Sequence, residues 1–225
     1  MSARRVVRAG GLWFDGKTAY VRVPNKDVLN FGEGNFSVAA WAYPIASLQL
    51  DLSKLSWIGG YGSTFGWGLR FDSGVFYIQT DVSPYLWSAD SGRYWRYAWY
   101  HFVGVRDGDT IKIYVNGVLR KSTSGVVGSV NNTLDVIIGN RGDLQTPFNG
   151  IIDDVRIYNR ALSDDEIRAI YERGALIRDG LVLHLDFTEY EGSIAYDKSG
   201  CGNHATIYGA RWVVKKQLRT LPETR

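Results

Sequence analysis

Six glutamates and three histidines are the residues of this 225-residue chain best suited to acid–base chemistry, and their spacing argues against it. Glu33, Glu166, Glu172, Glu189, Glu191 and Glu223 form no E-x-D-x-x-E run. Such a run would carry two glutamates on one strand, and retaining hydrolysis of a glycosidic bond needs two close carboxylates. His101, His184 and His204 are scattered, and no serine or cysteine sits in a nucleophile motif. The residues therefore predict a protein that is not an enzyme.

Two other groups could bind rather than react. In the alternating stretch from Phe148 to Tyr158, the residues Ile151, Asp153, Val155 and Ile157 share one face. A carboxylate among apolar neighbours needs partners, because an unpaired buried charge is very costly. Asp153 is thus either a hydrogen-bond anchor for a loop or a cation ligand. Further back, Tyr85, Trp87, Tyr94, Trp95 and Tyr97 cluster with Asp90, Arg93 and Arg96. Aromatic faces beside polar groups suit sugars, and Trp, Tyr and Arg also dominate protein interfaces. Tyr85, Trp87, Tyr94 and Trp95 are the candidate binding surface, with strand packing as the alternative reading.

The elements that must position these groups are mostly strands. The chain has 26 glycines, 8 tryptophans, 14 tyrosines and 9 phenylalanines, a composition that fits pleated surfaces and tight turns. Tyr20-Val-Arg-Val-Pro24 alternates and stops at proline. Phe36 to Tyr43 is a long β-rich run ended by Pro44, and 45–56 is predicted to be a loop. Trp57-Ile58, Gly66 to Phe71 and Val75 to Gln79 follow, then 80–96 as a loop or strand pair. Trp99 to Val105 and Thr110 to Val115 make a hairpin, and Asn116-Gly117 turns the chain into Val118-Leu119, since both residues tolerate positive φ. One helix is specified near 163–173. Ser163-Asp-Asp-Glu166 is a capping box, Ile167, Ile170 and Tyr171 form its apolar stripe, and Gly174 stops it. The fold class is therefore all-β, an antiparallel two-sheet sandwich with one short helix.

Several stretches resemble laminin-G-like (concanavalin A-like) jelly rolls. The most specific is Phe148-Asn-Gly-Ile-Ile-Asp-Asp-Val-Arg-Ile-Tyr-Asn-Arg-Ala-Leu-Ser163, and the second is Trp99-Tyr-His-Phe-Val-Gly-Val with Ile113-Tyr-Val-Asn-Gly117. Gly180-Leu-Val-Leu-His-Leu-Asp-Phe187, Tyr196-Asp-Lys-Ser-Gly-Cys-Gly-Asn-His204 and Ile207-Tyr-Gly-Ala-Arg-Trp212 match the start of such a module, yet here they come last. In the family they precede the counterpart of Gly11-Leu-Trp-Phe-Asp-Gly16 and Tyr20-Val-Arg-Val-Pro24. The resemblance implies a circularly permuted jelly roll over 11–213, between a basic arm at 1–10 and a basic tail at 214–225. Residues 180–213 then complete their own sandwich or, by strand exchange, a neighbour's. The resemblance also implies a calcium site, with Asp153, Asp154, Asp197 and Asn203 as its ligands. Cys201 stands where many relatives carry asparagine.

Charge and length exclude other classes. A net charge of +3 gives no argument for nucleic acid. No apolar run approaches the ~20 residues of a membrane span, and no signal peptide is visible. Cys201 is the lone cysteine, so no intrachain disulfide forms. The expected function is a non-catalytic structural or binding jelly roll in a virion or surface assembly, as a capsid, decoration or spike subunit contacting other protein subunits or glycans. The alternative is a carbohydrate-binding or adhesin module of a secreted protein. The expected location is accordingly a virion, the extracellular space or a cell surface.

Overall fold

The structure, a computed structural model, describes residues 10–45, 52–54, 66–70, 75–80, 86–89 and 97–214. Its strands are β1 (Gly10–Asp15), β2 (Tyr20–Val23), β3 (Phe36–Pro44), β4 (Leu52–Lys54), β5 (Gly66–Arg70), β6 (Val75–Gln79), β7 (Leu86–Ala89) and β8 (Tyr100–Asp107). They continue as β9 (Thr110–Val115), β10 (Val118–Ser124), β11 (Val136–Ile138) and β12 (Asn149–Tyr158), then helix α1 (Asp164–Arg173). Last come β13 (Leu181–Leu185), β14 (Ile194–Ala195), β15 (Ala205–Tyr208) and β16 (Arg211–Val214). A short 3-10 turn covers Asp27–Leu29.

Two eight-stranded antiparallel sheets result. The first runs β10-β9-β8-β3-β12-β1-β16, with β13 also paired to β12; the second runs β14-β15-β2-β11-β4-β5-β6-β7. Strand alternation decides which side chains meet between the sheets. Phe36, Val38, Ala40 and Ala42 of β3 face Val21, Val23, Val136 and Ile138 of the second sheet inside one buried cluster. Gly104 belongs to this interior. A Cβ there would lie 2.3 Å from the Phe76 ring, so the glycine lets that ring close over β8.

The expected loop at 45–56 contains β4, and Pro44 lies inside β3 rather than beyond it. Between 80 and 96 the described backbone forms one strand, β7, on the edge of the second sheet. Trp57 and Ile58 lie outside the described residues.

Helix α1 covers the outer face of the first sheet. Ile167 and Ile170 pack on Val103, Val105, Tyr158 and Leu162, and Tyr171 stacks on Trp41 with ring centres 5.6 Å apart. Its start is fixed as the capping box requires: Ser163 Oγ accepts from the Glu166 amide, and Glu166 Oε2 accepts from the Ser163 amide. Gly174 closes the helix with φ of 63°. Arg160 adds a two-pronged clamp on the Glu166 carboxylate, at 2.9 and 2.6 Å.

That clamp depresses the Glu166 pKa from 4.5 to about 2, chiefly through the Arg160 hydrogen bonds. A carboxyl lowered on folding stabilises the protein above its unfolded pKa and loses that contribution as pH falls through the folded one. The window here runs from about 4.5 down to about 2. With roughly a quarter of the pair exposed, we expect Glu166→Gln to cost about 1–2 kcal/mol at neutral pH. Urea melts of both proteins should show that gap closing across the acid window, and a pH-independent gap would remove the clamp from the stability balance.

The last segment is woven into both sheets of its own chain. Strand β13 pairs with Val155–Tyr158, β15 with β2, and β16 with β1. Strand β1 occupies the same flank of β12, against Asn149–Ile152, so β13 continues where β1 stops. The connection from α1 is tied down. Arg156 donates to the Ala175 carbonyl at 2.7 Å, Arg160 to the Asp179 carbonyl at 3.1 Å, and the Asn159 amide to Gly180 at 2.8 Å.

Candidate functional site

The bulge in β12 carries two of the acidic residues singled out in the sequence, Asp153 and Asp154. The register against β3 shifts between Asp153 and Arg156, and Asp154 takes φ of 51° there. Asp153 lies opposite Trp41 on the outer face of the first sheet and is buried. The kink turns Asp154 toward β13 instead. Its carboxylate accepts from Arg156 Nε at 2.7 Å and Nη2 at 2.9 Å, and lies 3.0 Å from His184 Nε2. Burial works against the Arg156 charge, but the adjacent Asp154 carboxylate outweighs it and raises the pKa.

Asp197 anchors the turn that follows β14. Its Oδ1 accepts from the amides of His184 and Ser199, and its Oδ2 from the amide of Asn203 and the hydroxyl of Ser199, all within 2.7–2.9 Å. Burial alone would raise its pKa; the Ser199, Asn203 and His184 amides hold the carboxyl below its usual range. Asn203 Nδ2 donates to the Val182 carbonyl at 2.7 Å.

Asp154 and Asp197 are thus engaged by protein partners, Asp154 by a cation of the protein itself, while the buried Oδ1 of Asn203 has no hydrogen-bond partner among the described residues. Among the described residues no three His, Cys, Asp or Glu side chains come close enough to hold a metal ion. Calcium takes six to eight oxygens; of the four residues expected to supply them, Asp154 is gripped by Arg156 and Asp197 by three amides and a hydroxyl. His184 lies beside the Asp154 carboxylate, and the Ser199 hydroxyl donates to Asp197.

A more open constellation lies on the outer face of the second sheet. Val21 and Val23 point into the core, so Tyr20 and Arg22 point outward from β2. The register sets Tyr208 of β15 opposite Tyr20, and Ile137 of β11 opposite Arg22. The Tyr20 and Tyr208 rings stack with centres 4.6 Å apart and planes 14° apart. Arg22 is ion-paired to Asp135, and this pairing raises its pKa. Asp135 Oδ1 in turn accepts from the Asn25 amide at 2.8 Å, which fixes the carboxylate.

Tyr20, Arg22, Leu134, Asp135, Ile137, Gly142 and Leu144 line a groove of about 240 Å³. Its far wall is a braced loop. Asn140 Oδ1 accepts from the Arg141 and Thr146 amides, and Arg141 grips Asp143 at 2.9 and 2.7 Å. Leu144 is held at the rim with φ of 60° and 39% exposure, an unusual backbone for leucine that the bracing must maintain. Apolar walls, a stacked tyrosine pair and one fixed donor–acceptor couple can seat a small ring-shaped polar ligand.

Sequence reading passed over this groove. The signal was present in Tyr20-Val-Arg-Val, where strand alternation alone puts an aromatic and an arginine on the solvent side. Of the predicted aromatic surface, Tyr85, Tyr94 and Trp95 lie outside the described residues. The backbone of Trp87 is described, in β7 opposite Tyr77. The basic residues of 1–9 and 215–225 are also outside. Gly10 pairs with Val214, so the two basic segments attach side by side on one sheet edge. No helix among the described residues is long and apolar enough to cross a membrane.

Residues 15–168 match the family model described as the concanavalin A-like lectin/glucanases superfamily. No curated protein matches the chain. Among solved structures, the chain is similar to a Bacteroides ovatus protein assigned as carbohydrate-binding, at 15% identity and a TM-score of 0.69, over 92% of this chain and 60% of that one. It therefore spans under two thirds of that protein's length. It is similar to the heptameric SAP-like pentraxin of Limulus polyphemus at 15% identity and a TM-score of 0.64, over 92% of this chain and 95% of that one. Domains LG4-5 of the mouse laminin alpha1 chain are similar at 14% identity and a TM-score of 0.54, over 70% of this chain and 45% of theirs. At these identities the structural likeness establishes the fold.

Proposed function

Since the chain belongs to the concanavalin A-like lectin/glucanases superfamily, we propose that it is a non-catalytic glycan-binding module whose ligand sits in the groove on the second sheet. The observation that carries this reading is the stacked Tyr20–Tyr208 pair beside the Arg22–Asp135 couple. The apolar faces of a sugar stack on aromatic rings, and its hydroxyls need both donors and acceptors. The groove offers the two kinds of contact together. The setting we propose is extracellular or on a surface, with residues 11–213 forming one module whose family order is rotated.

The test is glycan binding by calorimetry or on an array, with Tyr208→Ala as the probe variant. We expect Tyr208→Ala to weaken binding at least about tenfold, ~1.4 kcal/mol, while melting stays near that of the parent because Tyr208 is exposed. Glycan binding that is indifferent to Tyr208 would move the site elsewhere.

A virion or surface-assembly subunit is the second reading. One observation favours it: the Gly10–Val214 pairing sets the attachment points of both basic segments side by side, an arrangement suited to a shared acidic neighbour. Light scattering across concentrations separates the readings, a monomer favouring the module and a stable oligomer the assembly.

A further inference from the structure

We propose that the groove selects an uncharged pyranose carrying two adjacent hydroxyls and rejects acidic sugars; this rests on the glycan-binding reading above. The argument begins with charge. Among the groove residues Arg22 is the cation and Asp135 the carboxylate, and they are ion-paired. The next cation along the wall, Arg141, is neutralised in the same way by a two-pronged contact with Asp143. A carboxylated or sulfated sugar would want the free fork of a guanidinium. Arg22 has its Nε committed to Asp135, which takes the Nε–Nη2 side of the fork. An incoming anion would also lie against the Asp135 carboxylate.

The same couple suits a neutral diol. A guanidinium has five N–H donors and a carboxylate about four lone-pair sites, so both keep capacity after pairing with each other. One sugar hydroxyl can accept from Arg22 while its neighbour donates to Asp135. Little ordering is needed on binding, because the Asn25 amide already holds Asp135 and the braced loop already holds Leu144. The ring face then rests against Tyr20, backed by Tyr208, with Ile137 and Leu144 as apolar walls. The volume of about 240 Å³ is below the roughly 300–1,000 Å³ of sites for larger ligands, which favours a single ring over a long chain segment.

The experiment titrates the full chain with the methyl glycosides of glucose, galactose and mannose, and with glucuronic acid and galactose 6-sulfate. Saturation-transfer NMR at low and high salt is the readout. The expected result is binding of at least one neutral glycoside, little changed by salt, with a preference of about tenfold or more over both acidic probes. Asp135→Asn should unbalance the groove and raise binding of the acidic probes in a salt-sensitive way. Arg22→Gln provides a control: it should weaken neutral binding without creating acidic binding. Acidic-only binding by the parent protein would overturn the proposed class while leaving glycan binding standing. If no probe binds, both the class and the glycan reading fall. Neutral binding that Asp135→Asn and Arg22→Gln leave intact would also overturn the proposal, because the couple would then not be the selector.

Discussion

We expect a fragment ending at Asp179 not to fold. Residues 180–214 supply β13 and β16 to the first sheet and β14 and β15 to the second. Removing them strips Val182, Leu183, Leu185, Phe187, Ala195, Ala205 and Ile207 from the central cluster. Each large side chain among these contributes about 1.5–3 kcal/mol on burial. The five large ones together forfeit on the order of 10 kcal/mol, comparable with the entire ~5–15 kcal/mol stability of a typical domain. The loss is also one of backbone pairing. Val155–Tyr158 of β12, the outer side of β2 and one side of β1 would all lose their ladder partners, and exposed strand edges recruit other chains. The expected observation is an aggregated 1–179 fragment, or a soluble one with collapsed amide dispersion in NMR. Mixing it with a separate 180–225 peptide should restore dispersed signals if the segment completes the sandwich. A soluble, well-dispersed 1–179 fragment on its own would show the segment to be an accessory.

Arg156→Met carries the second largest effect. Arg156 and Asp154 are both buried, and the Arg156 guanidinium reaches onward to the Ala175 carbonyl after α1. Deleting the cation leaves the Asp154 carboxylate buried beside His184 without its main partner. Breaking one side of a buried pair costs about 3–5 kcal/mol. For a domain of this size that lowers the melting temperature by roughly 10 °C. The double variant Arg156→Met with Asp154→Asn should recover part of the loss, because the uncompensated charge is gone and asparagine tolerates the positive φ at this bulge. Thermal melts of both single variants and the double variant give the coupling directly. Additive losses would mean that the two residues act independently, which the bidentate geometry opposes.

Much of the architecture was legible because it is written in short-range rules. The alternating runs at Tyr20 and Thr110, the β-rich run at Phe36, the Asn116-Gly117 turn and the Ser163–Glu166 capping box each depend on neighbours within a few residues. Each appears in the structure where the sequence places it. The family resemblance at Phe148–Ser163 was equally readable, because the whole signature occupies one strand, its turn and the helix start. The expected loop at 45–56 failed to reveal β4 because three residues are too few to establish a period.

The sites followed a different logic. Asp153 and Asp154 were recognised as acidic residues on a buried strand, yet strict alternation cannot foresee a bulge. Only the pairing of β12 with both β1 and β13 creates the kink that turns Asp154 to Arg156 and His184. The surroundings of Asp197 were hidden for the same reason, since the donors that occupy it come from residues up to 13 positions away in the turn and in β13. The groove depends on still longer connections. Tyr20 and Tyr208 stand 188 residues apart in sequence and meet through the β2–β15 register, and Arg22 meets Asp135 across 113 residues. Sequence alone therefore determined the local elements, the sandwich class and the outward direction of Tyr20 and Arg22, because steric and capping preferences act within a few residues. Tertiary structure alone decided which outward residues became neighbours, because strand register is set by burying both sheet faces at once and no local preference contains that information.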